Sequence, residues 1–492
     1  MRLIRNAAVA AALLTAVPAG AANLPASAVS YQHVLLISID GLHQADLARF
    51  IANDRQSTLA KLAKTGKIYD NAETTKPSDS FPGMLALVTG GTPAATGIYY
   101  DASWDRTLSP PGSDCSKLGA AADFDEEIDI NADAVDAGGG IDDKKLPRDP
   151  KNGCRPVSPH AYLRANTVFD VVTAAGKTAA WLDKHPAYDI LRGRDGTGLA
   201  DFYGPEIAAG AQDHDVRKTE VNDDLRVAAL INQINGHDHT GARRMAVPAV
   251  FGMNFQAISV GQKYAGYGDA GFTPSADLAE GLAHTDRSLG QIIAALKASG
   301  LYDKTLLIMA SKHGNSPVDP TLVRKIDGKS LTKAIDDAAK GALAHATLDD
   351  VGLIWLTDQA QSATVAAALE QRKDELGIAH VYQGDELKRL WGADPATDSR
   401  VPDLFIDVQP GVIYTKPTNP KRAEHGGFTA DDTHVALLVA GKDIKPGTVA
   451  DKVETRQVAP TILKALGMDP NALEAVRAQH TASLPGLSFA KP

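Results

Sequence analysis

Ser80-Phe81-Pro82-Gly83-Met84-Leu85-Ala86-Leu87-Val88-Thr89-Gly90 places a hydroxyl directly before a short apolar helix. Met84 to Val88 carries the helix, and Gly90 and Gly91 stop it. At a helix N-terminus, free backbone N–H groups and the macrodipole favour negative charge. A serine there is suited to attack phosphorus or sulfur, because its alkoxide and the transferred oxyanion are both stabilised. An isolated serine before a helix is more often only an N-cap, so the stretch needs support from elsewhere in the chain.

That support lies in three strand-associated loops. Val34-Leu35-Leu36-Ile37-Ser38-Ile39 is a short branched apolar run, read as a buried strand, and it ends at Asp40-Gly41. In an open α/β sheet, ligands bind at the carboxyl edge of the strands. Thr305 to Ala310 is a second such run and ends in Ser311-Lys312-His313-Gly314. Glu424-His425-Gly426-Gly427 precedes a third, Val435 to Ala440.

Taken in order, these motifs resemble the type I phosphodiesterase/nucleotide pyrophosphatase branch of the alkaline phosphatase superfamily. The matching elements are Ile39-Asp40-Gly41, Ser80-Phe81-Pro82, Val88-Thr89-Gly90, Gly97-Ile98-Tyr99-Tyr100-Asp101, Ser311-Lys312-His313-Gly314 and His425-Gly426. The resemblance implies an alkaline-phosphatase-like fold: a doubly wound, mostly parallel α/β sheet with helices on both faces, plus insertions forming a cap. The strand–helix alternation along the chain independently argues for a doubly wound sheet.

The alternation divides the chain into segments. Residues 22–104, 160–315 and 421–492 are expected to build the core. Residues 105–159 form a loop-rich insertion, and 316–420 a cap subdomain. Core helices are expected near Ser57–Lys64, Thr167–Ala175, Ser275–Ala298 and Val458–Leu466, and core strands at Thr178–Leu182 and Pro248–Phe255. Cap helices fall near Leu331–Ala342 and Ser362–Gln371, and cap strands near Val351–Leu356 and Ile378–Tyr382.

Residues 1–21 read as a secretory signal. Arg2 and Arg5 supply the charged region, Ala7 to Val17 the apolar region, and Ala19-Gly20-Ala21 the cleavage site. The expected location is periplasmic or secreted. No later apolar run reaches transmembrane length. The formal net charge of −10 argues against binding a nucleic-acid duplex, which needs basic patches. Export gives Cys115 and Cys154, the only cysteines, an oxidising compartment in which to pair. The bridge would close a roughly 40-residue loop and contribute about 3–4 kcal/mol.

The family resemblance assigns roles by position. Ser80 is the nucleophile that forms a covalent phosphoryl-enzyme. Asp101 takes the place of a polar residue that contacts a phosphoryl oxygen. Phe81 stands beside the substrate and is expected to stack on a base or aryl group. Asp40, His313 and His425 match metal ligands. The family holds two ions, and here ligands are missing. Lys312 replaces the Asp of Ser-Asp-His-Gly. After the strand ending at Phe255, Gln262 falls on a histidine position and Ile258 on an aspartate. The remaining set suits one divalent ion, zinc first and manganese or calcium next.

A lysine ammonium does not ligate a metal, but beside a phosphoryl site it supplies positive charge or a proton. Lys312 is therefore grouped with Ser80 and Asp101 as catalytic, and Gln262 with Phe81 as substrate-binding. His185, in Asp183-Lys184-His185-Pro186, and His43 are further pocket candidates; His185 reads more readily as a surface-loop histidine, and His43 equally as a helix-start histidine. The expected activity is hydrolysis of a small-molecule phosphoric ester, of diester or nucleotide type. The alternatives are a sulfatase or phosphonate hydrolase of the same superfamily, a phosphate- or nucleotide-binding protein with impaired catalysis, and a transferase passing the phosphoryl group to an alcohol.

Overall fold

The computed structural model describes residues 31–489; the expected leader, residues 1–21, lies outside them. The central sheet contains β1 (His33–Ile39), β2 (Lys67–Tyr69), β3 (Ala180–Leu182), β4 (Asp201–Tyr203), β5 (Val250–Phe255), β6 (Thr305–Ala310), β7 (Leu437–Ala440) and β8 (Gly447–Val449). Their spatial order is β8-β2-β7-β6-β1-β5-β3-β4. The run from β6 through β4 is parallel, and β7 is antiparallel to both β6 and β2.

The unbroken apolar run of β1 follows from cover on both sheet faces. Val34 and Leu36 join one hydrophobic core, with Met84, Leu85, Leu87 and Val88 of the Ser80–Thr89 helix. Leu35, Ile37 and Ile39 join the opposite core, with Leu278, Leu282 and Leu289 of the Ala276–Ala298 helix. The side chains therefore alternate between two interiors with the strand period of two.

Strand register aligns the ends that matter. Ile39 lies opposite Phe255, Ser38 opposite Ala310, and Met253 opposite Leu182. Asp40, Gln256, Ser311-Lys312-His313 and Asp183-Lys184 therefore leave the sheet side by side at one carboxyl edge.

Residues Leu343–Leu348, Val351–Leu356, Leu404–Val408 and Ile378–Gln383 form a separate four-stranded antiparallel sheet. The helices Gly328–Ala338 and Ser362–Gln371 share a core with one of its faces. Its other face packs Val351, Leu353 and Phe405 against Tyr99 and Tyr100, which anchors this sheet beside the Ser80 segment. Two of its strands, Leu343–Leu348 and Leu404–Val408, were not expected from the sequence. The helix Val216–Ile234 was also not expected, because buried Asp223 and Arg226 interrupt its apolar stripe. Cys115 and Cys154 are disulfide-bonded across 39 positions. Among the described residues, no helix is long and apolar enough to cross a membrane.

Candidate active site

Ser80 is the first residue of its helix, not the cap. Asp79 takes the cap position, and its Oδ2 accepts from Phe81 N at 3.1 Å. A Cβ on Gly83 would come within 2.2 Å of the Lys312 carbonyl oxygen. Glycine at that position lets the helix lie directly on the Lys312-His313 segment, and Thr74 Oγ1 donates to the same carbonyl. Ser80 is thereby brought to the Asp40 edge.

His313 Nε2 lies 3.1 Å from Ser80 Oγ, and its Nδ1 lies 2.9 Å from Gly314 O. A carbonyl only accepts, so Nδ1 carries a ring proton, and Nε2 is the atom that accepts from the serine hydroxyl when the ring is neutral. The second contact to Ser80 Oγ is one the sequence reading missed. Lys184 Nζ lies 3.2 Å from Ser80 Oγ, 3.1 Å from Asp40 Oδ2 and 3.3 Å from Gln256 Oε1. All three ammonium protons have acceptors.

Lys312 is fully buried. Its Nζ is 3.3 Å from Asp40 Oδ1 and 3.7 Å from Asp183 Oδ1. It donates to Tyr188 OH at 2.7 Å and lies 4.4 Å from the centre of that ring. Each oxygen of Asp40 thus faces its own ammonium. Burial alone would raise the Asp40 pKa, but Lys312, Lys184 and His313 outweigh it and hold the carboxyl well below the usual range. Burial opposes charge on Lys184, yet Asp40 and Asp183 raise its pKa. On Lys312 burial prevails and lowers the pKa against the pull of Asp183 and Asp40.

His425 packs on His313 with ring centres 4.0 Å apart, and its Nδ1 is 3.5 Å from Asp79 Oδ1. Burial first, then the neighbouring His313, drives its pKa well below the usual imidazole value. Asp101 lines the same cleft. Its N–H donates to Asp79 Oδ2 and its Oδ1 accepts from Ala102 N. Burial, then the charges of Asp79 and Asp349, push the Asp101 carboxyl well above the ordinary value. The cleft encloses about 250 Å³ and is lined by Ser80, Asp101, Lys184, His185, Gln256 and His425, among others.

The arrangement does not fit the divalent ion expected from the sequence. The Lys184 ammonium occupies the space between Asp40 and Ser80, and a protonated amine has no lone pair to offer a metal. A divalent ion ~4 Å from either ammonium would be repelled by about 8 kcal/mol at an effective dielectric of ~20. Asp40, His313, His425 and Asp101 are not gathered into one ligand set. Among the described residues, the group of His, Cys, Asp or Glu with ligand atoms mutually within 4.8 Å is Glu126, His185 and Glu206. His185 Nδ1 is 2.8 Å from Glu206 Oε1. Glu126 and His185 line the cleft and Glu206 is buried behind them.

Three further residues sit differently from their expected roles. Gln262 and His43 lie in a buried network behind Asp40-Gly41 and do not line the cleft. Gln262 Nε2 donates to Gly41 O at 2.7 Å and to Tyr267 OH at 2.8 Å, and its Oε1 accepts from Asn315 at 2.6 Å. His43 Nδ1 is 2.9 Å from Asp46 Oδ2 and its Nε2 2.7 Å from Asp431 O. Each side chain is satisfied within the fold. Phe81 is 1% exposed and stacks on Tyr188 at 4.4 Å between ring centres, which leaves little surface for a substrate ring. Lys184 was legible by the same sign that marked Asp40, a charged residue just past a buried parallel strand.

Murine ectonucleotide pyrophosphatase/phosphodiesterase 5, in an inactive form in complex with AMP, is similar with a TM-score of 0.60 and 16% identity, covering 89% of this chain and 96% of that one. The human protein of the same name gives a TM-score of 0.57 and 16% identity over 93% of this chain and 97% of that one. These likenesses establish the fold. No curated protein matches the sequence significantly. The family model "Type I phosphodiesterase / nucleotide pyrophosphatase" matches residues 34–429, and the chain therefore belongs to that family and is a hydrolase of the phosphodiesterase/pyrophosphatase type.

Proposed function

We propose that the chain is an exported hydrolase of small phosphoric diesters that works through a covalent phosphoryl-serine at Ser80. The observation that carries this reading is the pair of contacts on Ser80 Oγ: His313 Nε2 at 3.1 Å and Lys184 Nζ at 3.2 Å. His313 accepts the hydroxyl proton as Oγ bonds to phosphorus, while Lys184 donates to the oxygen that gains charge. The P–O bond to the leaving group breaks, and that oxygen takes a proton from water on the open side of the cleft. Asp101, whose carboxyl keeps its proton to a higher pH than an ordinary carboxylate, donates to a phosphoryl oxygen in its protonated form. A water then attacks phosphorus as the Oγ–P bond breaks; the attacking water's proton passes to solvent, and His313 returns its proton from Nε2 to Ser80 Oγ.

Charge supports the diester. Asp40 and Asp183 balance Lys184 and Lys312, and in the outer cleft Lys263 and Lys421 both pair with Glu424. A diester adds one negative charge, whereas a monoester adds close to two, for which this site has little surplus. Zinc at Asp40, His313 and His425 forms no part of the reading. Export is supported by the Cys115–Cys154 disulfide and is checked by cell fractionation with N-terminal sequencing of the mature protein.

The test is a panel of bis(4-nitrophenyl) phosphate, 4-nitrophenyl phosphate and 4-nitrophenyl sulfate, with acid-quenched protein analysed by mass spectrometry. Diester turnover and a 4-nitrophenyl phosphoryl ester on Ser80 are expected. Preferential sulfate turnover, or turnover without any modification of Ser80, rejects the reading.

A further inference from the structure

We infer that the ammonium groups of Lys184 and Lys312 stand in for the divalent ions of the family at the Ser80 centre, so that this chain runs its reaction there without a bound metal. The inference deepens the reading of Ser80 as nucleophile and rests on it for its catalytic part.

Three observations carry it. First, both oxygens of Asp40 are already matched with a cation, Oδ2 with Lys184 at 3.1 Å and Oδ1 with Lys312 at 3.3 Å. An added ion would have to displace an ammonium from a buried carboxylate. Second, every donor of Lys184 is used, on Asp40, Ser80 and Gln256, so the ammonium is fixed rather than swinging through the cleft. Lys312 is fixed by Tyr188 OH at 2.7 Å and by the face of that ring. Third, His313 directs Nε2 at the serine hydroxyl with its other nitrogen at 2.9 Å from a carbonyl. Nε2 is therefore placed within hydrogen-bond reach to accept the serine proton when the ring is neutral.

The division of labour follows. Where a metal would act as Lewis acid on the serine oxygen, Lys184 donates a hydrogen bond to it. Where metal ligation would make the alkoxide, His313 takes the proton. The Oγ–H bond breaks to Nε2 as the Oγ–P bond forms and the P–O bond to the leaving group breaks. Lys312 does not touch Ser80; it neutralises Asp40 and Asp183 and so positions the carboxylate that holds Lys184.

The full-length mature protein tests this with chelation by EDTA and 1,10-phenanthroline, elemental analysis, and turnover of bis(4-nitrophenyl) phosphate. Turnover is expected to survive removal of transition metals and to gain nothing from added zinc. Loss on chelation with recovery on zinc addition overturns the inference. Crystals soaked in zinc and measured at its absorption edge give a readout independent of activity. A peak between Asp40, Ser80 and His313 overturns the inference; no peak there, with or without zinc on Glu126, His185 and Glu206, supports it. Lys184→Met is expected to lower kcat at least ~100-fold without rescue by zinc, and Lys184→Arg, which keeps the charge, is expected to retain more activity than the Met variant. Equal activity of the Met and wild-type proteins overturns the role of Lys184. If the protein turns over no ester with or without zinc, the hydrolysis reading falls, while the anomalous map still decides whether a metal binds.

Discussion

His313 Nε2 and Ser80 Oγ are 3.1 Å apart, and the opposite ring nitrogen of His313 is held at 2.9 Å by the carbonyl of Gly314. One residue thus turns its free lone pair on the hydroxyl of the other. Ser80→Ala is expected to lower kcat at least ~10³-fold, and His313→Gln by ~10²–10⁴-fold. The melting temperature of the serine variant is expected to stay near that of the wild type. Steady-state kinetics with thermal melts check both, and a Ser80→Ala protein with near-normal kcat would exclude the serine as nucleophile.

Asp101 gives a pH dependence of defined sign. Burial and the charges of Asp79 and Asp349 raise its pKa well above the ordinary carboxylate value, so it remains a donor to phosphoryl oxygen to a higher pH than an ordinary carboxyl does. As pH rises through that raised value the proton is lost, and a carboxylate then repels the substrate. Activity is expected to fall on this alkaline side. Asp101→Asn keeps a donor without an ionisable proton and is expected to remain active while losing that limb. A pH–rate profile unchanged by the substitution would count against the role.

Glu424 gives an acid dependence of stability. Burial works to raise its pKa, but Lys263 and Lys421 outweigh it and bring it down to about 2. A depressed carboxylate contributes stability above its ordinary value near 4.5, and that contribution is lost as pH falls from there towards about 2. The contribution is about 3 kcal/mol. Denaturation midpoints across this window are expected to drop for the wild type and to vary less for Glu424→Gln, which should be less stable at neutral pH. Parallel curves for the two proteins would refute the linkage.

The Cys115–Cys154 bridge closes a loop with a sequence separation of 39. Its removal by the double substitution to serine is expected to lower stability by about 3–4 kcal/mol in the chain-entropy model, with little change in kcat, since neither cysteine lines the cleft. Thiol labelling of native protein should find no free thiol. Labelling of both cysteines would contradict the bridge.

Gly83 tests how the nucleophile is placed. A Cβ there would sit 2.2 Å from the Lys312 carbonyl, which is backbone and cannot swing aside. Gly83→Ala is expected to push the helix off the Lys312-His313 segment, costing roughly 1–3 kcal/mol of stability and most of the turnover. Normal kinetics in this variant would show that the helix tolerates a shift that the contact distances forbid.

Local pattern by itself determined the elements that sit in both cores. The unbroken run Val34–Ile39 named a buried strand because both of its faces are covered, and the charged residues at its end and at the end of Thr305–Ala310 named the active edge, because parallel strands deliver their following residues to one side. Motif order supplied the family, and with it Ser80, Asp40 and His313. Tertiary structure decided which charged side chains meet. Register sets Leu182 opposite Met253, and only that pairing carries Lys184 across to Asp40 and Ser80 from a point 104 residues further along the chain. The same three-dimensional placement turned Gln262 and His43 inward to a network behind Gly41, although sequence alignment put one of them at a ligand position. A motif specifies where the backbone goes; whether an ammonium or an ion balances a buried carboxylate depends on which long side chains reach it through space, and no local stretch of sequence contains that distance.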